Sequence, residues 1–263
     1  MNSSEFYILI KNDFPFEPTL KQSIVLQQLA DYVFDTSPNS LYVLKGFAGT
    51  GKTTIVGTIV TNLWKAKKSA VLMAPTGRAA KVISNYSGKE AFTIHKKIYT
   101  ARYSKSGKVS FVLAPNKHKK TIFIVDEASM ISDIPSQSSL FGSGSLLDDL
   151  MQYVYSGHQC KLLLIGDTAQ LPPVKLDISP ALNEDALSLS YNKEVTRMEL
   201  DEVVRQEQDS GILFNATLLR EALAGSYFDS FQFNLKGFKD IVRLIDGHEI
   251  MDAINDAYSS LGN

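Results

Sequence analysis

LYVLKGFAGTGKTTIV, residues 41–56, decides how this chain is read. A short apolar run, LYVLKG (41–46), delivers glycines at 46, 49 and 51, and TTIVGTIVTNLWK then continues as a helix. Gly46-Phe-Ala-Gly-Thr-Gly51-Lys52-Thr53 matches G-x4-G-K-[ST]. Glycines let the backbone bend until several N–H groups point at a β-phosphate. Lys52 reaches the β/γ oxygens and the Thr53 hydroxyl ligates Mg²⁺. The helix that follows aims its positive end at the same phosphates. Gly46, Ala48, Gly49, Thr50, Gly51, Lys52, Thr53 and Thr54 are therefore the candidate contacts to ATP, with Mg²⁺ as its ion.

Outward from that loop, apolar strands alternate with helices. SAVLMAP (69–75), TIFIVDE (121–127), CKLLLIGD (160–167) and EVTRMEL (194–200) read as four more strands. Thr19 opens an earlier helix as N-cap, with Gln22 in a capping box. Ser145 caps a later one, in which Leu146, Leu147, Leu150, Met151 and Val154 share a face. The pattern predicts an α/β fold, a mostly parallel sheet with helices on both faces. Two stretches interrupt it. IYTARY and KVSFVL flank Ser104–Gly107 as an inserted β-hairpin, and the Ser/Gly-rich residues 132–145 read as a mobile loop.

Asp126 and Glu127 end an apolar strand expected to neighbour the strand that carries the glycine loop. There Asp126 would hold Mg²⁺ through water and Glu127 would polarise the attacking water. A Glu beside the Asp favours hydrolysis of ATP over transfer to a small acceptor. Gln170, in GDTAQLPPV, is placed to sense a γ-phosphate, or else is a polar turn residue. Arg205, in LDEVVRQ, suits the same oxyanion or an ordinary surface ion pair.

Charge is unevenly spread. Residues 65–120 carry 14 of the 27 Lys and Arg but only one acid, Glu90, and so are +13 in a chain whose net charge is −1. Such a block reads as a footprint for a polyanion, with a solvated face as the bland alternative. Four histidines lack metal-ligand spacing, so no structural zinc is expected. The one cysteine, Cys160, excludes an internal disulfide and fits a reducing compartment as a buried thiol. No apolar run is long enough to span a bilayer and no signal peptide is evident, which predicts a cytoplasmic protein without a membrane partner.

Together GFAGTGKTT, APTGRAA (74–80), TIH (93–95), DEASM (126–130), GDTAQLPPV (166–174) and LDEVVRQ (200–206) resemble superfamily 1 helicases of the RecD/Dda-like, 5′-to-3′ branch. The resemblance implies a RecA-like P-loop NTPase domain over residues 1–225. It also implies a small inserted subdomain at about 96–120, and a lead-in at 226–263 to a second RecA-like domain absent from this sequence. It gives Gln22 an adenine contact, against the capping box that explains it equally well. Lys52, Asp126, Glu127, Gln170 and Arg205 become the catalytic set, and Thr53 and Asp126 the metal set. Pro75, Thr76, Arg78, Thr93 and His95 would line a single-stranded DNA groove, although His95 also reads as a packed core histidine. The hairpin would add Tyr99, Arg102, Tyr103 and Lys105, a mixture that stacks bases and tracks phosphates. These aromatics could equally hold the hairpin together, Phe111 above all. The activity implied is an ATP-dependent DNA helicase, expected as a monomer. An ATP-gated nucleic-acid clamp is the alternative, and RNA stays open as the strand.

Overall fold

A computed structural model describes residues 1–104, 107–135, 140–202, 204, 210–225 and 230–261. The chain opens with helices α1 (Ser3–Asn12) and α2 (Leu20–Phe34), and strand β1 (Ser40–Gly46) leads through the glycine loop into α3 (Lys52–Asn62). Next come β2 (Ser69–Ala74), α4 (Gly77–Ser87), β3 (Ala91–Thr93), α5 (Ile94–Ile98), β4 (Tyr99–Tyr103) and β5 (Val109–Leu113). β6 (Thr121–Val125), α6 (Leu146–Tyr155), β7 (Lys161–Gly166), α7 (Glu184–Tyr191) and β8 (Glu194–Leu200) complete the first compact unit, which ends at Val204.

Among the described residues, six strands form one sheet in the order β3-β2-β6-β7-β1-β8, and every pairing in it is parallel. Continuous apolar strands fit this, because both faces are covered. Tyr42, Leu44, Leu72, Ile122, Ile124, Leu163 and Ile165 face α1, α2 and α3. Their alternates Leu41, Val43, Met73, Phe123, Val125, Leu162 and Leu164 face α5, α6 and α7. The period of two thus divides each strand between two cores. Cys160 is buried, as expected.

One expectation is corrected. The strand ending in Asp126-Glu127 does not lie beside β1, because β7 is inserted between β6 and β1. The carboxylate on the strand next to the glycine loop is instead Asp167, one residue past β7.

The hairpin is present, with Tyr99 paired to Leu113 and Tyr103 to Val109. Residues 140–145 of the Ser/Gly-rich stretch differ from the loose loop expected of them. Phe111 N–H donates to Leu140 O and Gly142 N–H to Phe111 O, both at 2.8 Å. Phe141 stacks on Phe111, with centroids 4.5 Å apart and ring planes 12° from parallel. This segment is a strap across the hairpin base.

The residues after Val204 form a second compact unit. Helix α8 (Gly211–Ala224) is held from its own C-terminal side: Asp240 accepts from Ser210 Oγ and Gly211 N–H at 2.8 Å, and Phe214 packs on Phe238. Helix α9 (Gly247–Leu261) follows. Among the described residues, no helix is long and apolar enough to cross a membrane.

Candidate functional site

Every candidate nucleotide residue that the structure describes lies at the sheet's C-terminal edge or on the helix start that abuts it. The glycine loop turns on Gly49 (φ 83°) and Gly51 (φ 89°), both left-handed, which side chains disfavour. Gly51 is the N-cap of α3 and offers no side-chain cap, so the first N–H groups of the helix have no side-chain acceptor. That is an anion-facing end by construction. Ala48 is exposed, and Thr53 and Thr54 are half-buried on the first turn of α3.

The loop is braced from three sides. Thr50 is buried and its hydroxyl donates to Phe47 O at 2.9 Å. Phe47 N–H donates to Leu200 O and Val204 N–H to Gly49 O, tying Leu200 and Val204 to the loop. Gln22 is only 3% exposed: its Oε1 accepts from Thr19 N–H, and its Nε2 donates to Thr50 O at 3.0 Å. A Cβ on Gly51 would stand 2.5 Å from that Nε2, so the brace and the glycine require each other. Gln22 thus holds the loop from behind.

Lys52 Nζ donates to Gly46 O at 2.5 Å and Phe47 O at 2.9 Å. Burial pulls its ammonium below the usual lysine range, against the opposing pull of Asp167, Asp126 and Glu127. The carboxylates respond in kind. Burial raises Asp126, which Glu127 N–H and Lys52 partly offset. Burial also raises Glu127, helped by the charge of Asp126, while a hydrogen bond from Gln170 and the charge of Lys52 hold it down. A basic carboxylate poised near an ammonium suits proton abstraction from water. Glu127 sits in the left-handed region at φ 56°, a strained position for a residue with a side chain.

Gln170 links two elements. Its side chain bonds Glu127, and Ser129 Oγ donates to its Oε1 at 3.1 Å. Asp167 and Ser129 were not among the residues picked out by sequence. Asp167 is 6% exposed, and its charge acts on Lys52 more than that of Asp126 or Glu127. Its signal was the strand end itself, one position before the threonine of GDTAQ. Beyond Asp167 a cavity of about 330 Å³ opens among Lys45, Gln170, Ser179, Asn183 and Glu184, crossed by the Lys45–Glu184 ion pair at 2.7 Å.

The nucleic-acid candidates divide. Pro75, Thr76 and Arg78 follow β2, while Thr93 ends its neighbour β3 and His95 follows that strand, with Ala74 and Thr93 in register. Arg78 is exposed, whereas the Thr76 and Thr93 hydroxyls cap α4 and α5 by accepting from Ala79 and Lys96 N–H. The His95 ring lies between Tyr99 and Phe141, and burial lowers its pKa, which keeps it neutral at pH 7. Tyr99 is a correction. It is 9% exposed and its hydroxyl donates to Asp149 Oδ2 at 2.6 Å, so it holds the hairpin to the body and does not face a strand. Arg102 and Tyr103 are exposed farther along β4. Arg205 and Lys105 lie outside the described residues.

Sheet order and glycine loop define a RecA-like P-loop domain. A family described as AAA domain matches residues 22–231. The chain belongs to that family, and the relatives it matches include RecD and Dda helicases. It is 33% identical over 154 residues to the ATP-dependent RecD2 DNA helicase of Deinococcus radiodurans, covering 59% of this chain and 18% of that protein. It is 32% identical over 166 residues to the ATP-dependent DNA helicase dda of Enterobacteria phage T4, covering 62% of this chain and 34% of that protein. This chain therefore spans about a third of the length of one of these curated relatives and less than a fifth of the other. Among solved structures, Pif1 helicase from Candida albicans matches with a TM-score of 0.48 and 22% identity, over 78% of this chain and 43% of that one.

Proposed function

We propose that this chain is an ATP-binding motor domain of a cytoplasmic, ATP-dependent DNA helicase of 5′-to-3′ polarity, holding ATP with Mg²⁺ and one wall of a single-stranded DNA groove. One observation carries the reading: the nucleotide residues and Pro75, Thr76, Arg78 and Thr93 occupy strand ends and helix starts along the same edge of one parallel sheet. ATP-dependent DNA helicases among the relatives support it.

The residues present suit the proposed ligands. Left-handed glycines and an uncapped helix start offer N–H groups to phosphate, and Thr53 with Asp126 offers the oxygen donors that Mg²⁺ takes. Bound ATP supplies the phosphoanhydride and the ion its charge. Lys52 leaves the Gly46 and Phe47 carbonyls to neutralise phosphate oxygens. Glu127 accepts a proton from water, and its raised basicity serves that step. Gln170 reports the state of Glu127 to Ser129 and to the GDTAQ loop. Arg205 is assigned to the γ-phosphate. Gln22 is assigned to bracing the loop, a role its burial supports over an adenine contact.

Stepping along a strand is assigned to the whole protein, with a second RecA-like domain closing on this one. The test is ATP hydrolysis by the product of the complete reading frame, with and without single-stranded DNA. Strong stimulation is expected. Turnover indifferent to DNA would overturn the helicase reading and leave a P-loop domain with another role.

A further inference from the structure

The sheet has a second edge, and it is basic. The connections entering β2, β6 and β7 meet there, where Ser69 N–H donates to Lys120 O at 3.3 Å and Lys120 N–H donates to His158 O at 2.9 Å. Three residues in these connections are left-handed without being glycine: Lys67 (φ 56°), Lys120 (φ 50°) and Gln159 (φ 53°). Each such position costs about 1 kcal/mol that glycine would avoid. Lysine occupies two of the three.

Lys67, Lys117, Lys119 and Lys120 are exposed, and Lys68 is half-buried. Burial and the neighbouring charge of Lys120 both lower the Lys68 ammonium. Nearby Lys65 and Lys161 have carboxylate partners in Asp13 and Asp35. Among the described residues Lys67, Lys68, Lys117, Lys119 and Lys120 have none. Like charges held together without counter-charges mark a surface that gains from an external polyanion.

A second observation narrows its chemistry. Trp64, the single tryptophan of the chain, lies on the turn Leu63–Ala66 that enters this edge, three residues before the Lys67-Lys68 pair. Leu63 and Ala66 are buried, but Trp64 is 67% exposed. An indole beside unpaired lysines is the combination that stacks a base while cations track the backbone.

We propose that this edge is a second binding site for single-stranded nucleic acid, with Trp64 stacking a base and Lys67, Lys68, Lys117, Lys119 and Lys120 meeting phosphates. The proposal builds on the nucleic-acid reading above but uses different residues. β6 is five residues long, so the two edges stand about 17 Å apart and engage different segments of a strand. Holding the strand here would raise its effective concentration at the motor groove.

Trp64 makes the test direct, because a chain with one tryptophan reports binding at this edge by its own fluorescence. Oligothymidylate added to the chain should quench Trp64 saturably. A Lys67/Lys68/Lys119/Lys120→Ala variant should shift that titration by roughly 10-fold or more and reduce its salt slope by about 3, from four lost phosphate contacts. With an oligothymidylate too short to reach both edges, Arg78→Ala, in the groove, should leave the quench unchanged while weakening total binding, read by anisotropy of the labelled oligonucleotide. Total binding without any quench would overturn this proposal and leave the groove standing. Loss of both signals would count against both readings. Equal quenching by inorganic polyphosphate, which has no bases, would overturn the single-strand assignment in favour of an acidic ligand of another kind.

Discussion

The nucleotide edge and the hairpin base are built by different means. At the nucleotide edge, function is written in contiguous backbone: Gly49, Gly51 and Lys52 lie within four positions, and the helix start does the rest. At the hairpin base, the working parts come from distant positions. Tyr99 meets Asp149, Phe111 meets Phe141, and Ser143 N–H donates to both oxygens of Asp149. Gly142, at φ 44°, sits so close that an added Cβ would fall on Asp149 Oδ2. A short motif can specify the first arrangement. The second needs the tertiary fold.

Breaking the first region should show most in chemistry. Lys52→Ala is expected to lower ATP turnover by about a hundredfold or more while the thermal transition stays in place. Turnover within a few-fold of the parent would refute the site. Glu127→Gln should abolish hydrolysis yet keep nucleotide binding, measured by equilibrium titration. The pH profile carries a sign. Glu127 is raised above its ordinary 4.5 in the folded chain, so activity should fall with falling pH at an inflection above that value. The same raised affinity for protons means that Glu127 destabilises the fold at neutral pH, an effect relieved as pH drops through its folded pKa and absent below 4.5. Glu127→Gln should therefore melt higher than the parent without nucleotide. A lower melting temperature would contradict the electrostatics.

Breaking the second region should show in stability and local opening. Asp149→Ala strands the buried Tyr99 hydroxyl and the Ser143 N–H, a loss of about 2–3 kcal/mol in urea unfolding. Hydrogen exchange at Phe111 N–H should accelerate with it, and an unchanged rate would deny the strap its role. Gly142→Ala should act the same way through overpacking, at about 1–3 kcal/mol. The smallest effect sharpens the boundary between the regions. Gln22→Ala removes one bond to the capping turn and one to Thr50 O, about 1 kcal/mol, with a matching weakening of ATP affinity.

That contrast accounts for what was readable. β1, β2, β6 and β7 were visible as apolar runs and β8 as the strand EVTRMEL, and the capping box at Thr19 and the N-cap at Ser145 fall where the residue types place them. β3 escaped because three residues, AFT, carry no period. α1 went unread although Asn2 and Glu5 form a capping box, since that stretch was weighed only as a leader. Strand order failed more instructively. Alternation of strand and helix fixes handedness but not which gap a late strand fills, so β7 and Asp167 took the place assigned to β6 and Asp126. Phe111 stacks on Phe141, one of its two readings, and the half-buried His95 ring contacts Tyr99 and Phe141. Tyr99 packs as well, because only the fold brings Asp149 to its hydroxyl.

The position of β1 also sets an order of manufacture. Its two partners are β7 and β8, which begin at residues 161 and 194. A ribosome adding about 5–20 residues per second would expose the apolar LYVL segment for on the order of ten seconds before either partner exists. Leu200, whose carbonyl receives Phe47 N–H, arrives later still. In the nascent chain β1 is an unpaired strand with two open edges, the kind of segment that chaperones shield. The phosphate loop is synthesised before Asp126, Glu127 and Asp167 and is among the last parts to be assembled, so ATP binding in a translating ribosome complex would time the closure of the sheet.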